Sequence, residues 1–383
     1  MSPMPRKLSQ QEVYDLVRNT SQRSTQNFQE ECEFVHPVTG EAQTVSQVDF
    51  AILENKNRLG RGSFGSVYKS THRDSRVDVA IKVVHQMDME SKKPTKEFQR
   101  EMKFLRDSTN WKCPNIVQFF GFIRSDKSPW LILELMDIDL SKIIKSREFY
   151  NNDCIRFDPT MFPKNVLETL GYLIIRDITN GLRYLHGLIP NQDETPYMHR
   201  DIKPTNIMID RKKRRLAIID FGSTKKISKE ELKADSRTPG KDIYQAPECF
   251  EFEGKYGELC DLWSLGITLI YFYTGTHPVY NKPEASTSDD SSARDQAVKE
   301  EHLVTGRITG KNIFTGNKVD WDIALTCEEL CQNFKNQVNQ CVDRKAENRP
   351  SADDLYNKSL SGLEDIGENF ESRIFDTFLG KVL

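Results

Sequence analysis

The sequence has no C-x-x-C pair, no long apolar run and almost no charge imbalance, and each absence removes a class of protein. Eight cysteines are scattered at 32, 113, 154, 249, 260, 327, 331 and 341. Without a paired spacing they suggest neither a zinc ribbon nor a disulfide framework, and they read as reduced thiols in a cytosolic (cytoplasmic) or nuclear compartment. The longest apolar stretch, Leu262 to Tyr273, is interrupted by Ser264, Gly266 and Thr268. It falls short of the roughly 20 residues that a membrane-spanning helix needs; it reads as a buried core helix, and no membrane insertion is expected. The opening MSPMPRKLSQ has no apolar segment, which argues against a secretory signal peptide. Lysine and arginine number 54 against 57 aspartates and glutamates, a net charge of −3. That balance disfavours a nucleic-acid partner or a polybasic membrane contact. No internal repeat is visible.

What is present is a chain of 383 residues, 37% hydrophobic and 29% charged, with a mean hydropathy of −0.61. A single core stops growing near about 250–300 residues, so two lobes or a domain with tails is expected. Residues 1–49 are rich in Gln, Ser, Thr and Glu and read as a mostly disordered tail, with one short helix at Gln10–Val17. Strand-like runs begin near Phe50. VDVAIKVV at 77–84 is β-branched and apolar, as in a buried strand, and Ile116–Phe122 and Trp130–Leu135 read likewise. Thr95–Arg106 reads as a helix with Phe98, Met102 and Leu105 on one face. From about Leu140 the pattern turns helical, with Leu167–His186 and Leu262–Tyr273 the clearest helices. The fold class expected is therefore α+β: a small sheet-dominated lobe with one helix, followed from about Leu140 by a larger α-helical lobe. Asn281–Glu300 and Asn191–Pro196 read as polar loops. The basic run Arg211–Arg215 lies between two strand-like pieces, where like charges favour a solvated turn over a localisation signal.

Gly60-Arg61-Gly62-Ser63-Phe64-Gly65-Ser66-Val67 spells G-x-G-x-x-G-x-V. Alone it is a weak signal. However, the glycines run into a strand, where a dinucleotide fold would place a helix. Val79-Ala80-Ile81-Lys82 follows on the next strand, and a lysine among apolar neighbours is costly unless it meets an anion. His199-Arg200-Asp201-Ile202-Lys203-Pro204-Thr205-Asn206 then spells H-R-D-x-K-P-x-N, and Asp220-Phe221-Gly222 and Ala246-Pro247-Glu248 come after it.

Over residues 50 to 358 these motifs, in this order, resemble the eukaryotic protein kinase superfamily. The resemblance implies a bilobal protein kinase fold, with a small antiparallel β-sheet lobe with one helix over 50–136, a larger α-helical lobe over 137–358 and a helical segment over 359–383, together with ATP and Mg²⁺ as cofactors and a protein substrate. It also implies roles residue by residue. Gly60, Gly62 and Gly65 would close backbone N–H groups over the phosphates, where a Cβ would obstruct the approach. Lys82 would contact the α- and β-phosphates, held by a carboxylate on the lobe's one helix; Glu101 is preferred, and Glu97, one turn earlier, is the alternative. Asp220 and Asn206 would bind metal. Asp201 would accept the substrate proton and Lys203 would neutralise the γ-phosphate. Adenine would meet Leu59, Val67, Ala80 and Met208, with backbone contacts at Glu134 and Met136 and Leu133 as gatekeeper. Glu248 would pair with Arg349, and Asp261 would cap the catalytic loop.

Lys203 is the residue that serine/threonine-type kinases carry. Lys112–Gly121, Leu133–Asp137 and Ser236–Gly240 are most similar to the stress-activated branch of MAP kinase kinases. Members of that branch phosphorylate a Thr and a Tyr of a MAP kinase and are switched on by an upstream activating kinase. Arg200 could pair with an activation-loop phosphate, for which Ser236 and Thr238 are the candidates. Two positions depart from the family pattern: Leu232 stands where the first phosphosite falls, and Lys241 where a small residue lines the acceptor site. Together they motivate a competing reading, a non-catalytic pseudokinase scaffold, beside that of another Ser/Thr kinase of the same superfamily. Pro5-Arg6-Lys7-Leu8 reads as plain tail more readily than as a docking peptide. Phe370, Ile374, Phe375, Phe378, Leu379 and Val382 recur at helical spacing, which suits a helix packed on the large lobe better than a docking helix.

Overall fold

A computed structural model describes residues 33–51, 53–62, 65–84, 95–123, 128–149, 164–189, 196–227, 244–250, 256–274, 332–366 and 373–379. They form two compact units, one running to Lys112 and continuing over Val117–Met136, the other comprising Cys113–Ile116 and the chain from Asp137 onward.

The first unit is built on an antiparallel sheet. Its strands are β1 (Glu33–Val35), β2 (Ala42–Thr44), β3 (Arg58–Gly62), β4 (Gly65–Thr71), β5 (Asp78–Val84), β6 (Phe119–Ile123) and β7 (Trp130–Glu134), in the order β2-β1-β6-β7-β5-β4-β3. Side chains alternate across a strand, and β5 uses both faces. Val79 and Ile81 enter an apolar cluster with Phe34, Val45, Phe50, Phe120, Ile123 and Ile132, against which Val83 also packs. Ala80 and Lys82 are buried on the other face. Helix α1 (Lys96–Ser108) starts where the Thr95 hydroxyl accepts from the N–H of Phe98 at 3.4 Å, an N-cap that satisfies one of the helix's free donors. Met102, Phe104 and Leu105 are buried and Phe98 is half-buried.

The cluster corrects the expectation of a disordered tail over 1–49. Residues 33–49 belong to this unit: β1 pairs with β6 through Glu33↔Phe122 and Phe34↔Gly121, and the Phe34 ring stands edge-on to Phe50, with centroids 5.8 Å apart. Two three-residue strands joined through a polar turn offer no periodicity to read, although Phe34 of β1 and Val45, just after β2, enter the core. The short helix expected at Gln10–Val17 and the Pro5–Leu8 motif lie outside the described residues.

The second unit contains β8 (Ile138–Asp139), β9 (Tyr197–Met198), β10 (Ile207–Asp210), β11 (Arg215–Ile218) and β12 (Lys225–Lys226), with helices α2 (Leu140–Phe149), α3 (Lys164–Leu185), α4 (Leu259–Thr274), α5 (Gln332–Cys341) and α6 (Ala352–Ile366). Helix α4 is the buried core helix its composition suggests, with Leu262, Leu265, Leu269, Ile270 and Phe272 fully enclosed. It crosses α3 so closely that a Cβ on Gly171 would fall 1.9 Å from the Tyr273 hydroxyl oxygen. Helix α6 runs through the boundary at 358, so the segment expected from 359 begins mid-helix. After it comes a π-helical turn, Arg373–Phe378, in which Ile374 and Phe375 are buried, as is Leu379. Ile374, Phe375 and Leu379 are thus spent on packing. The basic run forms the β10–β11 turn. There Arg214 Nη2 meets Asp376 Oδ2 at 2.6 Å, Arg211 lies 3.8 Å from Asp137, and Arg215 is buried near Asp210. No described helix is long and apolar enough to cross a membrane.

Candidate active site

In the first unit, β4 and β5 pair in the register Val67↔Lys82 and Gly65↔Val84. Lys82 projects from the face opposite the apolar cluster, and its ammonium meets Glu101 of α1 at 2.7 and 2.9 Å. Both groups are buried. An ammonium held in both carboxylate oxygens has its direction fixed. The glycines divide their tasks. A Cβ on Gly65 would lie 2.3 Å from the Val83 carbonyl oxygen, so this glycine is demanded by the strand pair itself. Gly60 has open space where a Cβ would stand. Leu59 is exposed, Val67 half-buried and Ala80 buried, with Ala80 paired to Leu133 across β5–β7. Glu134 and Met136 are buried. The Glu134 N–H donates to the Gln118 carbonyl at 3.0 Å, so a ligand contact at Glu134 falls to its carbonyl.

The second unit gathers Asp201, Lys203, Asn206, Met208 and Asp220 around the turn into β10. Lys203 Nζ lies 2.6 Å from Asp201 Oδ2. Asn206 Nδ2 donates to the same Oδ2 and to the Asp201 carbonyl, each at 2.9 Å. Those two bonds orient the Asn206 amide. Asp220 adopts φ 65°, and Arg200 adopts φ 66°, left-handed conformations that cost an ordinary residue energy and recur at functional sites. Carboxylate and amide oxygens suit a hard divalent cation, so Asp220 and Asn206 fit the metal role, and the open space at Gly60 suits a phosphate approach.

Asp261, at the start of α4, supports this loop. It accepts from the N–H groups of His199 (2.9 Å) and Arg200 (2.8 Å) and from His186 Nε2 (3.0 Å). Burial alone would raise its carboxyl, but the His186 hydrogen bond, the nearby imidazoles and the Arg200 N–H outweigh that and hold it below the usual carboxylate value. His186 carries no sequence signal beyond a histidine at the end of an apolar helix. His199 is wholly buried. Its Nε2 donates to the Ile219 carbonyl and its Nδ1 accepts from the Asp201 N–H, each at 3.2 Å, and its ring stands edge-on to Phe221. Burial depresses its pKa below the ordinary 6.5. The unfolded chain therefore takes up this proton more readily than the folded one. The contribution is fully present above pH 6.5 and is lost as pH falls below it. Denaturant unfolding between pH 7.5 and 5.5 should show stability declining with acid, with a smaller decline in His199→Asn.

Arg349 locks the lower framework. Its nitrogens meet Glu248 at 2.6 and 2.8 Å, the Leu259 carbonyl at 3.1 Å and the Asp343 carbonyl at 2.8 Å, and its side chain is fully buried. Arg349→Ala leaves a carboxylate without its partner, so chemical denaturation should register a loss of about 3–5 kcal/mol. Arg200 donates to the Ser223 carbonyl at 2.7 Å and reaches the Tyr256 hydroxyl at 3.4 Å. Ser236, Thr238, Leu232 and Lys241 lie outside the described residues, as does the loop 281–300.

Comparison with known proteins agrees with this geometry. The protein kinase domain model matches residues 53–361. MAP kinase kinase mkk-4 of Caenorhabditis elegans is 30% identical over 60% of this chain and 56% of its own length. Dual specificity mitogen-activated protein kinase kinase sek-1 of the same organism is 28% identical over 67% of this chain and 69% of its own. Serine/threonine-protein kinase pakF of Dictyostelium discoideum is 30% identical over 61% of this chain but 17% of its own length. The chain thus spans between about a sixth and somewhat over two thirds of these relatives. A domain of this kind uses ATP and a divalent metal ion. With the sheet-based unit, the helical unit and the family match in agreement, the chain belongs to the protein kinase family and has its bilobal α+β fold.

Proposed function

We propose that the chain is a dual-specificity kinase of the MAP kinase kinase type, acting on the activation loop of a MAP kinase within a stress-signalling cascade. The observation that carries catalysis is the assembly at Asp201: its carboxylate is shared by Lys203 and Asn206 while Asp261 fixes the backbone just before it. That geometry suits a base that orients a substrate hydroxyl and accepts its proton. It favours an enzyme over a pseudokinase scaffold, because no catalytic side chain in this loop is turned away or replaced. The likeness to mkk-4 and sek-1, over more than half of each, supports the narrower reading.

In this reading Lys82, steadied by Glu101, holds the α- and β-phosphates of ATP. Lys203 offsets the charge of the γ-phosphate, and Asp201 takes the hydroxyl proton. A divalent ion, Mg²⁺ here, would be held by Asp220 and Asn206 and would neutralise phosphate charge. The nucleotide's adenine would contact Leu59, Val67, Ala80, Met136 and Met208. An upstream kinase would phosphorylate Ser236, whose phosphate would pair with Arg200.

A side-by-side assay tests the substrate class. The purified chain, after treatment with an upstream kinase, should phosphorylate a folded MAP kinase on Thr and Tyr and act poorly on short peptides from the same loop. Equal rates on peptide and folded protein would point to another Ser/Thr kinase, and no transfer to either would favour the scaffold. Phosphosite mapping of the activated protein checks Ser236.

A further inference from the structure

His72 follows β4 in the first unit and is only 2% exposed, although an imidazole is polar and titrates near neutrality. Its ring centroid lies 4.8 Å from that of Phe34 and 5.2 Å from that of Phe50. With Phe34 and Phe50 themselves 5.8 Å apart, the three rings close a triangle under the β1–β2 strand pair. The backbone at His72 is fixed: it bridges Phe50, its N–H donates to the Val77 carbonyl, and its own carbonyl accepts from the Arg76 N–H, each at 2.9 Å. The ring nitrogens are engaged too. The Ser75 hydroxyl lies 2.8 Å from Nδ1, and the Ser75 N–H, which can only donate, reaches Nδ1 at 3.4 Å. Nε2 faces the side-chain amide of Gln43 on β2 at 3.5 Å. Nothing in the phosphoryl-transfer chemistry uses this ring.

We propose that His72 is an acid-sensitive clasp: while neutral, its ring holds the β1–β2 strand pair on the sheet, and taking up a proton raises the frequency with which that pair leaves. The Ser75 N–H fixes Nδ1 as an acceptor, so the neutral ring carries its hydrogen on Nε2. A second proton can go only to Nδ1. There it removes the acceptor from Ser75 and sets two N–H donors against each other. It also places a charge beside Phe34 and Phe50, which offer it no hydrogen bond. The charged groups around the ring pull in both directions. Asp74, on the same turn, and Asp49, just before Phe50, favour the cation, and His36, at the end of β1, disfavours it. Arg73 is turned to the Phe50 carbonyl, 3.1 Å from its Nε. Burial outweighs the carboxylates and holds the His72 pKa below its ordinary 6.5. A ring released into water binds the proton more readily, so the contribution to closure is fully present above pH 6.5 and is lost as pH falls below it. At pH 5.5 a ring free in water is protonated by about ten to one, so opening should grow by about tenfold.

The sheet order makes a local opening feasible. β2 is the edge strand and β1 its neighbour, so the pair can leave by breaking only the β1–β6 ladder at Glu33↔Phe122 and Phe34↔Gly121. Its departure withdraws Phe34 from Val79 and Ile81, the apolar side of the strand that carries Lys82. Acid thus loosens the first unit from its outer edge, at a place remote in sequence from the catalytic loop.

The test is amide hydrogen exchange of the full chain, read peptide by peptide at pH 7.5 and 5.5 and corrected for the intrinsic effect of pH on exchange. Peptides covering 33–45 should report opening about tenfold more frequent at the lower pH. His72→Asn keeps an acceptor for Ser75 but does not titrate, so its opening should be equal at the two pH values. His72→Phe keeps an aromatic ring in the cluster and should show the same indifference, so that a folding defect in one variant does not decide the matter. Equal opening of the wild type at both pH values overturns the proposal, because the neighbouring rings and carboxylates would then hold the cation in place. So does an acid response over 33–45 that persists in either variant that folds. Peptides of the second unit report separately on His199. The measurement needs neither nucleotide nor substrate, so its failure leaves the kinase reading untouched.

Discussion

Asp220→Asn is expected to lower phosphoryl transfer by at least about a hundredfold, the scale on which removing one preorganised charge or dipole acts, while leaving the melting temperature close to that of the wild type. Asparagine is the right replacement on structural grounds. Asp220 sits at φ 65°, a left-handed conformation that Asn tolerates better than most residues, so the backbone keeps its shape and only the negative charge is lost. Lys82→Met should abolish transfer as well, but with a structural cost. It strips the partner from Glu101, whose side chain is only 5% exposed, and an unpaired buried carboxylate is strongly destabilising unless it takes up a proton. Initial rates on a protein substrate, read beside thermal melts, separate the two effects. Turnover by Asp220→Asn equal to that of the wild type would remove Asp220 from the metal role.

Deleting residues 1–45 should destabilise the first unit by about 3–6 kcal/mol. Phe34 and Val45 are both buried, and each such side chain contributes about 1.5–3 kcal/mol. Their removal also opens Val79, Ile81 and Phe120 to water. Domains are stable by only about 5–15 kcal/mol, so the shortened chain should unfold at markedly lower urea concentration, with Phe34→Ala alone producing a large share of the shift. The expectation is notable because the family match begins at residue 53, so a protein trimmed to that boundary would also lose Phe50. A chain starting at residue 46 that unfolds at the same urea concentration as the whole protein would show that β1 and β2 carry no load.

The two halves of the candidate site differed in how legible they were. The catalytic loop could be read because its chemistry requires particular residue types a few positions apart: Asp201, Lys203 and Asn206 lie within one turn, and their mutual hydrogen bonds are local. The lysine on β5 could be read because a charge among Val79, Ile81 and Val83 has few tolerable explanations. Its partner could not be fixed in the same way. Glu97 and Glu101 lie one helical turn apart; periodicity favours Glu101, because Leu105 lies one turn on and faces the core, but it does not remove Glu97. Glu101 is placed to meet Lys82, on the face of β5 opposite the Val79–Ile81 cluster. The support from His186 was invisible for a different reason. It joins residues 75 positions apart, and no local pattern encodes that meeting.

The sequence by itself determined the chemistry. The glycines of G-x-G-x-x-G-x-V, the lysine on β5, and the residues of H-R-D-x-K-P-x-N and D-F-G on which the protein kinase reading rests are identities that no packing could supply. Only the tertiary structure decided how those identities are held: residues 33–49 completing the first unit's core, His186 joining the loop N–H groups on Asp261, and Arg349 reaching the Leu259 and Asp343 carbonyls besides Glu248. The reason is physical. Chemical identity is carried by single side chains and their near neighbours. Position is fixed by burial and by hydrogen bonds between segments far apart in the chain, whose free energy exists only once the chain has folded.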